Sequence, residues 1–256
     1  MEIIIRPTPE AASGVTANLI ARLLHDKPNA VLGLATGDTV VPLYRQLVAM
    51  KLDWSRVKTF NLDEYVGLSP EHPQSYHSFM WENLFQHLNI KKESVYLPDG
   101  QATDIPAYCA LYEESIREVG GIDLQLLGIG TDGHIGFNEP TSSLVSRTRI
   151  KTLTEQTRAD KVPSFGGQDQ VPHHVITMGV GTIMEARQIA LLAFGRNKAQ
   201  AVADAVEGPI TAMIPASILQ MHPTAKIVLD EPAAVQLKKA DYYRWVYNHK
   251  PDSQRF

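Results

Sequence analysis

Asp132, His134 and Glu139 fall within one short glycine-rich stretch, Gly130-Thr131-Asp132-Gly133-His134-Ile135-Gly136-Phe137-Asn138-Glu139-Pro140. An imidazole tuned by neighbouring carboxylates can give and take protons near neutral pH, which is the raw material of general acid/base chemistry. Gly130, Gly133 and Gly136 leave the backbone free to adopt positive φ, so the loop can aim three side chains at one small molecule. Two plainer readings stand beside this one. The stretch is also what a tight turn with a capping Asp looks like, and a His with two carboxylates can hold a metal. No second His or Cys lies nearby at ligand spacing, which disfavours the metal.

Other chemistry-bearing residues sit in comparable places. Asp63-Glu64-Tyr65-Val66-Gly67 puts adjacent carboxylates after the predicted strand Val57–Leu62; the plain alternative is one capping acid and one solvated acid. Thr36-Gly37-Asp38-Thr39 lies between a strand-like run and a helix-like run, a geometry that offers free N–H groups to an anion. Neither G-x-G-x-x-G nor G-x-x-x-x-G-K-[ST] is present there, and Asp38 adds negative charge, so a phosphate loop and an ordinary turn are equally supported. Lys198 occupies a similar turn after Ile189–Phe194, where an ammonium can meet a phosphate as a point charge. In Ser146–Leu153 basic residues alternate with others; this is either a Lys/Arg-protected edge strand or an anion site. His77 reads as a packing residue.

The elements that must position these groups follow from the pattern. Ala30–Ala35, Ile122–Ile129, Val175–Met178 and Ile189–Phe194 are short apolar runs of the kind that strands buried on both faces show, and Met1–Pro7, Val57–Leu62 and Ala225–Leu229 read as further strands. Helix signals come between most of them: Thr8-Pro9-Glu10 opens a helix to about residue 25, and further helices are predicted over about 40–50, 75–87, 104–118, 198–206 and 232–246. The β-α alternation predicts an α/β fold with an open, mostly parallel sheet and helices on both faces, in a single domain over residues 1–256. In such sheets ligands bind beyond the carboxyl ends of the strands, where all the loops above lie. Residues 154–171 are polar, with Pro163, Gly166 and Gly167, and read as an irregular lid.

Composition narrows the function classes. The net charge is −4, pI is near 6.1, and there is no basic run or stripe, which gives no support to a nucleic-acid partner and leaves a small molecule as the expected one. Cys109 is the only cysteine, the N-terminus lacks signal-peptide character, and no run approaches a membrane span; a cytoplasmic protein without membrane contact is the expectation.

In order and spacing, Leu32–Gly37, Phe60–Leu68, Gly130–Pro140 and Ser146–Leu153 resemble the glucosamine-6-phosphate deaminase family, across about residues 30 to 230. The resemblance implies a Rossmann-like sheet and conversion of glucosamine 6-phosphate and water to fructose 6-phosphate and ammonium, with no metal or organic cofactor. It casts Asp63 as the base that moves a proton between C2 and C1, and His134 as the ring-opening acid/base with Asp132 and Glu139 as partners. Thr36, Gly37, Thr39 and Lys198 match phosphate-binding positions. Ser142, Arg149, Lys151 and Thr152 match the site at which hexameric members bind the activator N-acetylglucosamine 6-phosphate, which implies a homo-oligomer such as a hexamer. The chain departs from the pattern in three places. Asp38 stands where Gly or Ser is usual, and Val162-Pro163-Ser164-Phe165 lacks the usual lid Arg, leaving Arg158 or Lys161 to substitute. Arg244, beside Tyr243, stands near the place of an effector-contacting Tyr. Galactosamine-6-phosphate deaminase and 6-phosphogluconolactonase resemble the same family. A sugar-phosphate sensor of similar fold, the effector domain of a transcriptional regulator, is the remoter alternative; it is disfavoured in expectation because the sequence shows no basic helix of a DNA-binding module.

Overall fold

Thr8 starts the first helix two residues after the first strand: its hydroxyl accepts the Ala11 N–H at 3.2 Å, and Pro9 takes the first helical position, where no N–H is needed. The same economy repeats along the chain, in a computed structural model that describes residues 1–251. The elements are β1 (Glu2–Arg6), α1 (Pro9–Asp26), β2 (Val31–Leu34), α2 (Val41–Ala49), β3 (Lys58–Asn61), β4 (Asp63–Tyr65), α3 (Tyr76–Asn83), β5 (Val95–Tyr96), α4 (Ile105–Glu118) and β6 (Leu124–Leu127). They continue with β7 (Arg149–Thr152), α5 (Glu155–Phe165), β8 (His174–Thr177), α6 (Val180–Met184), β9 (Gln188–Ala193), α7 (Ala199–Glu207), β10 (Ala225–Asp230), α8 (Glu231–Ala234) and α9 (Ala240–Asn248).

Seven strands form one sheet in the order β1-β10-β9-β6-β2-β3-β5, and every neighbouring pair is parallel. Helices pack around it, and the apolar runs of its central strands make the main core, with Ile4, Leu32, Leu34, Leu124, Leu126 and Leu192 fully enclosed. From β2 the chain first builds outward through β3 and β5, then returns to the other side of β2 with β6. The loops after β2 and β6 therefore diverge, which opens a crevice at the carboxyl edge.

A second sheet, β4-β8-β7, is antiparallel and carries its own small core of Tyr65, Phe137, Leu153, Phe165, Val171 and Val175. It revises two expectations. Asp63–Tyr65 is a strand rather than a loop, paired with Thr177, Ile176 and Val175, and His174–Thr177 belongs to this sheet and not to the parallel one. Ser146–Leu153 does contribute an edge strand.

Residues 154–171 are mainly helical, not irregular. Thr154 caps α5 by accepting the Thr157 N–H at 3.2 Å, and Gly166, at φ 79°, ends it in the left-handed conformation. Pro163 falls so near the end that the helix needs only Ser164 and Phe165 beyond it. The single closing helix expected from residue 232 is two helices, because the Glu207 carboxylate accepts the Lys238 and Lys239 N–H groups at 2.8 and 3.0 Å and starts α9 afresh. The helix over 75–87 gives way after Asn83 to a 3-10 turn at Phe85–His87, and β5 is too short for a pattern to announce it.

Candidate active site

Four loops meet at the carboxyl edge of the sheet, following β9, β6, β2 and β3 in that spatial order. The loop after β6 is wound tightly: Gly130 N donates to His134 O at 2.9 Å and Gly133 N to Gly130 O at 3.1 Å. The His134 ring lies over Gly130 so closely that a Cβ there would stand 2.3 Å from ring atoms, which is why glycine is required. Asp132 Oδ1 accepts the His134 N–H at 3.2 Å and sits 2.7 Å from His134 Nδ1. That second contact is close but off the line of a ring N–H, so it acts as a charge contact. Burial pushes the Asp132 carboxyl up, but hydrogen bonding and charge from His134 outweigh it and hold the group below its ordinary range.

Asp63 faces this pair from β4. Thr177 Oγ1, on the paired strand, donates to Asp63 Oδ1 at 2.5 Å and itself accepts the Phe137 N–H at 3.0 Å. Gly136, at φ 55°, brings the loop in so closely that a Cβ there would lie 3.2 Å from Asp63 Oδ1. Asp63 is only 7% exposed, and burial raises its pKa to about 7; the Thr177 and Phe137 hydrogen bonds and the His134 charge act in the opposite direction. An Asp with a pKa near neutrality is poised to shuttle a proton, being neither fully ionised nor fully protonated. Neighbouring Glu64 points elsewhere: its carboxylate accepts the N–H groups of Tyr65, Tyr76 and His77 at 2.8, 3.0 and 2.9 Å and so caps α3. Neither acid is solvated. His77 stacks on Trp81, in keeping with a packing role.

Lys198 ends the 3-10 turn Arg196–Lys198 after β9, a turn fixed by Asp230, whose carboxylate oxygens both accept Gly195 N–H at 3.0 Å. Burial holds its ammonium below its ordinary value, while Asp132 and Asp160 act to raise it and Lys161 to lower it. Lys198 therefore shares a neighbourhood with the His134 loop on one side and with α5 on the other. Thr36 and Thr39 are half-buried on the adjacent loop, around Gly37 at φ 102° and an exposed Asp38. Arg158, the other cation in α5 named as a substitute for the lid Arg, is spent on structure: its guanidinium donates to Val171 O and Gln168 O.

Two further sets are placed differently from the sequence expectation. Glu139 is 4% exposed, and its carboxylate engages Thr154 and Thr157 rather than His134. On β7, Arg149 and Lys151 share one face while Thr152 takes the other, and Ser142 is buried with its hydroxyl unpartnered. Arg149 donates to Asn138 Oδ1 at 2.9 Å, and Asn138 Nδ2 donates to Ile135 O and Met178 O at 2.9 and 2.8 Å, tying β7 to the His134 loop. Arg244 is committed to Glu231 and Asp241, and Tyr243 donates to Glu207. Sequence reasoning passed over Thr177, Asn138, Thr154 and Thr157. Asn138 alone had a signal, from its place in the glycine-rich stretch. Among the described residues no cluster of three or more His, Cys, Asp or Glu side chains is arranged to hold a metal, and no helix is long and apolar enough to cross a membrane.

A parallel sheet with a polar crevice at its carboxyl edge is the frame of a sugar-phosphate enzyme family, as the comparisons show. Residues 8–228 match the family described as glucosamine-6-phosphate isomerases/6-phosphogluconolactonase, and the chain belongs to that family. It is 54% identical to the glucosamine-6-phosphate deaminase of an Arthrobacter species, covering 98% of both chains, and 54% identical to that of Streptomyces coelicolor, covering 99% of both. Among solved structures, a protein described as a monomeric glucosamine-6-phosphate deaminase superposes with a TM-score of 0.90 at 42% identity, over 92% of this chain and 100% of the other. A 6-phosphogluconolactonase from Trypanosoma cruzi shares the fold, with a TM-score of 0.75 at 20% identity over 93% and 97% of the two chains.

Proposed function

We propose that this chain converts glucosamine 6-phosphate and water to fructose 6-phosphate and ammonium. The observation that carries the reading is the buried Asp63 carboxyl, with a pKa near 7, set against the His134–Asp132 pair from a neighbouring strand end. His134 serves ring opening, which needs a proton at the ring oxygen and the loss of one from the C1 hydroxyl. Asp63 takes the C2 proton and returns it to C1 while the aldehyde oxygen gains a proton given up by the substrate ammonium, which leaves a C1 hydroxyl and an iminium at C2; water adds there and ammonia departs. Lys198, with Thr36, Gly37 and Thr39, receives the phosphate. Each of these steps is a proton transfer or an addition of water, within reach of side chains of these types without metal or organic cofactor. The relatives at 54% identity support this substrate over galactosamine 6-phosphate, and the lactonase likeness supports only the fold. Ammonium release from glucosamine 6-phosphate by the purified chain, lost on Asp63→Asn, tests the reading; galactosamine 6-phosphate in its place tests the epimer.

Four finer readings belong to the same proposal. The chain acts in amino-sugar breakdown in the cytoplasm. Residues 154–171 close over the bound sugar as a lid. Ser142, Arg149, Lys151 and Thr152 receive N-acetylglucosamine 6-phosphate as an activator, with the Asn138–Arg149 hydrogen bond supporting communication to the His134 loop. An effector site of this kind implies a homo-oligomer, up to a hexamer. The solved relative described as monomeric makes a single chain the opposing outcome, and sedimentation with and without the acetylated sugar distinguishes them.

A further inference from the structure

We infer that Thr157 is a positioning residue whose hydroxyl latches the first turn of α5 onto Glu139, so that the lid helix and the His134 loop behave as one piece. Glu139 follows His134 in the same loop, and among the described residues the hydrogen-bond partners of its carboxylate are Thr154 and Thr157 alone. Thr157 Oγ1 donates to Glu139 Oε1 at 2.5 Å, Thr154 Oγ1 donates to it at 3.1 Å, and Thr154 N lies 3.3 and 3.2 Å from the two carboxylate oxygens. A buried carboxylate with no cation beside it is tolerated there because it faces the positive end of a helix.

A capping role for Thr154 does not explain this arrangement. Thr154 already caps α5 through the Thr157 N–H, which suffices to start a helix. The Thr157 hydroxyl lies 3.0 Å from Thr154 Oγ1 and reaches on from the cap to another element, where it donates to Glu139. Only Thr157, Arg158 and Phe165 of α5 are buried: Phe165 packs edge-on against Tyr65 at 5.3 Å, Arg158 grips Gln168 O and Val171 O, and Thr157 alone reaches the acid/base loop. On a helix, residues three and four apart share a face, so the turn that Thr157 fixes also sets Asp160 and Lys161, two charges that act on Lys198 beside that of Asp132. The loop end of the latch is itself rigid, since Asn138 is held by Ile135 O, Met178 O and Arg149.

The kinetic consequence rests on the function proposed above; the mechanical one does not. The test compares Thr157→Val, which keeps shape and loses the hydroxyl, with Thr157→Ser, which restores it. Hydrogen–deuterium exchange should rise about tenfold together in residues 130–139 and 155–165 of the Val variant and return to wild type in the Ser variant, as fits loss of one hydrogen bond to a charged group. With glucosamine 6-phosphate, the Val variant should show a KM raised about tenfold and a smaller fall in kcat, both restored in the Ser variant. Faster exchange confined to 155–165 with the His134 loop unchanged, or a Ser variant no better than Val, overturns the latch. A wild-type chain that releases no ammonium would sink the function while the exchange measurement still decides the latch.

Discussion

Replacing Asp63 with Asn should abolish turnover and, above neutrality, make the protein more stable relative to wild type. Burial raises the Asp63 pKa from 3.8 to about 7. Below about 3.8 the group is protonated in both folded and unfolded chains. As pH rises the unfolded chain loses its proton first, so the wild type loses stability up to about pH 7 and no further. The slope is ~1.4 kcal/mol per pH unit, so between about pH 5 and about pH 8 the wild type gives up roughly 3 kcal/mol, that is, two units' worth, through this one group. Asn does not titrate and retains an Oδ1 for the Thr177 hydroxyl, though its amide opposes the Phe137 N–H at a fixed cost of about 1–3 kcal/mol. That cost cancels when two pH values are compared. Urea unfolding of both proteins at the two pH values reads the difference directly, and melting should show it as a relative gain for the variant of roughly 6 °C. A stability difference that does not change with pH would refute the assignment of a buried, strongly raised carboxyl, and surviving ammonium release would refute its role as the base.

Gly130→Ala should lower activity about a hundredfold or more while far-UV circular dichroism stays native, because the new methyl occupies the place of the His134 ring and misaims it. Lys198→Gln should raise KM for glucosamine 6-phosphate by about ten- to a hundredfold with a smaller change in kcat, and weaken competitive inhibition by inorganic phosphate in parallel; unchanged phosphate inhibition would remove Lys198 from the phosphate end. Arg158→Ala strips donors from Gln168 O and Val171 O at a cost of about 1–3 kcal/mol. Limited proteolysis should then cut residues 166–171 faster, with little change in global unfolding.

The parallel sheet was legible because strands buried on both faces write themselves as apolar runs, and Val31–Leu34, Leu124–Leu127 and Gln188–Ala193 lie where those runs predict. Placement of the polar loops followed from the same runs, since each begins where a run stops. The second sheet left no such trace: Asp63–Tyr65 follows β3 with only Leu62 between and no turn residue to mark a new strand. Helix α5 was hidden for a different reason, since its inward residues Thr157, Arg158 and Phe165 include two polar ones and give no apolar stripe. The carboxylates and the imidazole were visible as residue types, and Asp132 as the neighbour of His134, but the partners of Asp63 and Glu139 were not. That Thr177 would hold Asp63 and that Glu139 would turn to the lid helix depend on antiparallel pairing and packing between segments far apart in sequence.

Asp63 and Glu64 are consecutive, chemically near-identical and both buried, yet one joins His134 while the other starts a helix. What assigns them is the pleat. The pairing of Asp63 with Thr177, Glu64 with Ile176 and Tyr65 with Val175 works as a ruler with a one-residue tick, and a slip of one tick would turn Glu64 toward His134 and Asp63 toward α3. Leu62, the single residue between β3 and β4, keeps that ruler in phase with the large sheet, its carbonyl accepting the Met178 N–H at 2.7 Å and its own N–H donating to Leu34 O at 3.1 Å. An insertion or deletion at this joint would leave both sheets intact and still exchange the duties of the two acids, so chain length here is under tighter constraint than side-chain identity would suggest.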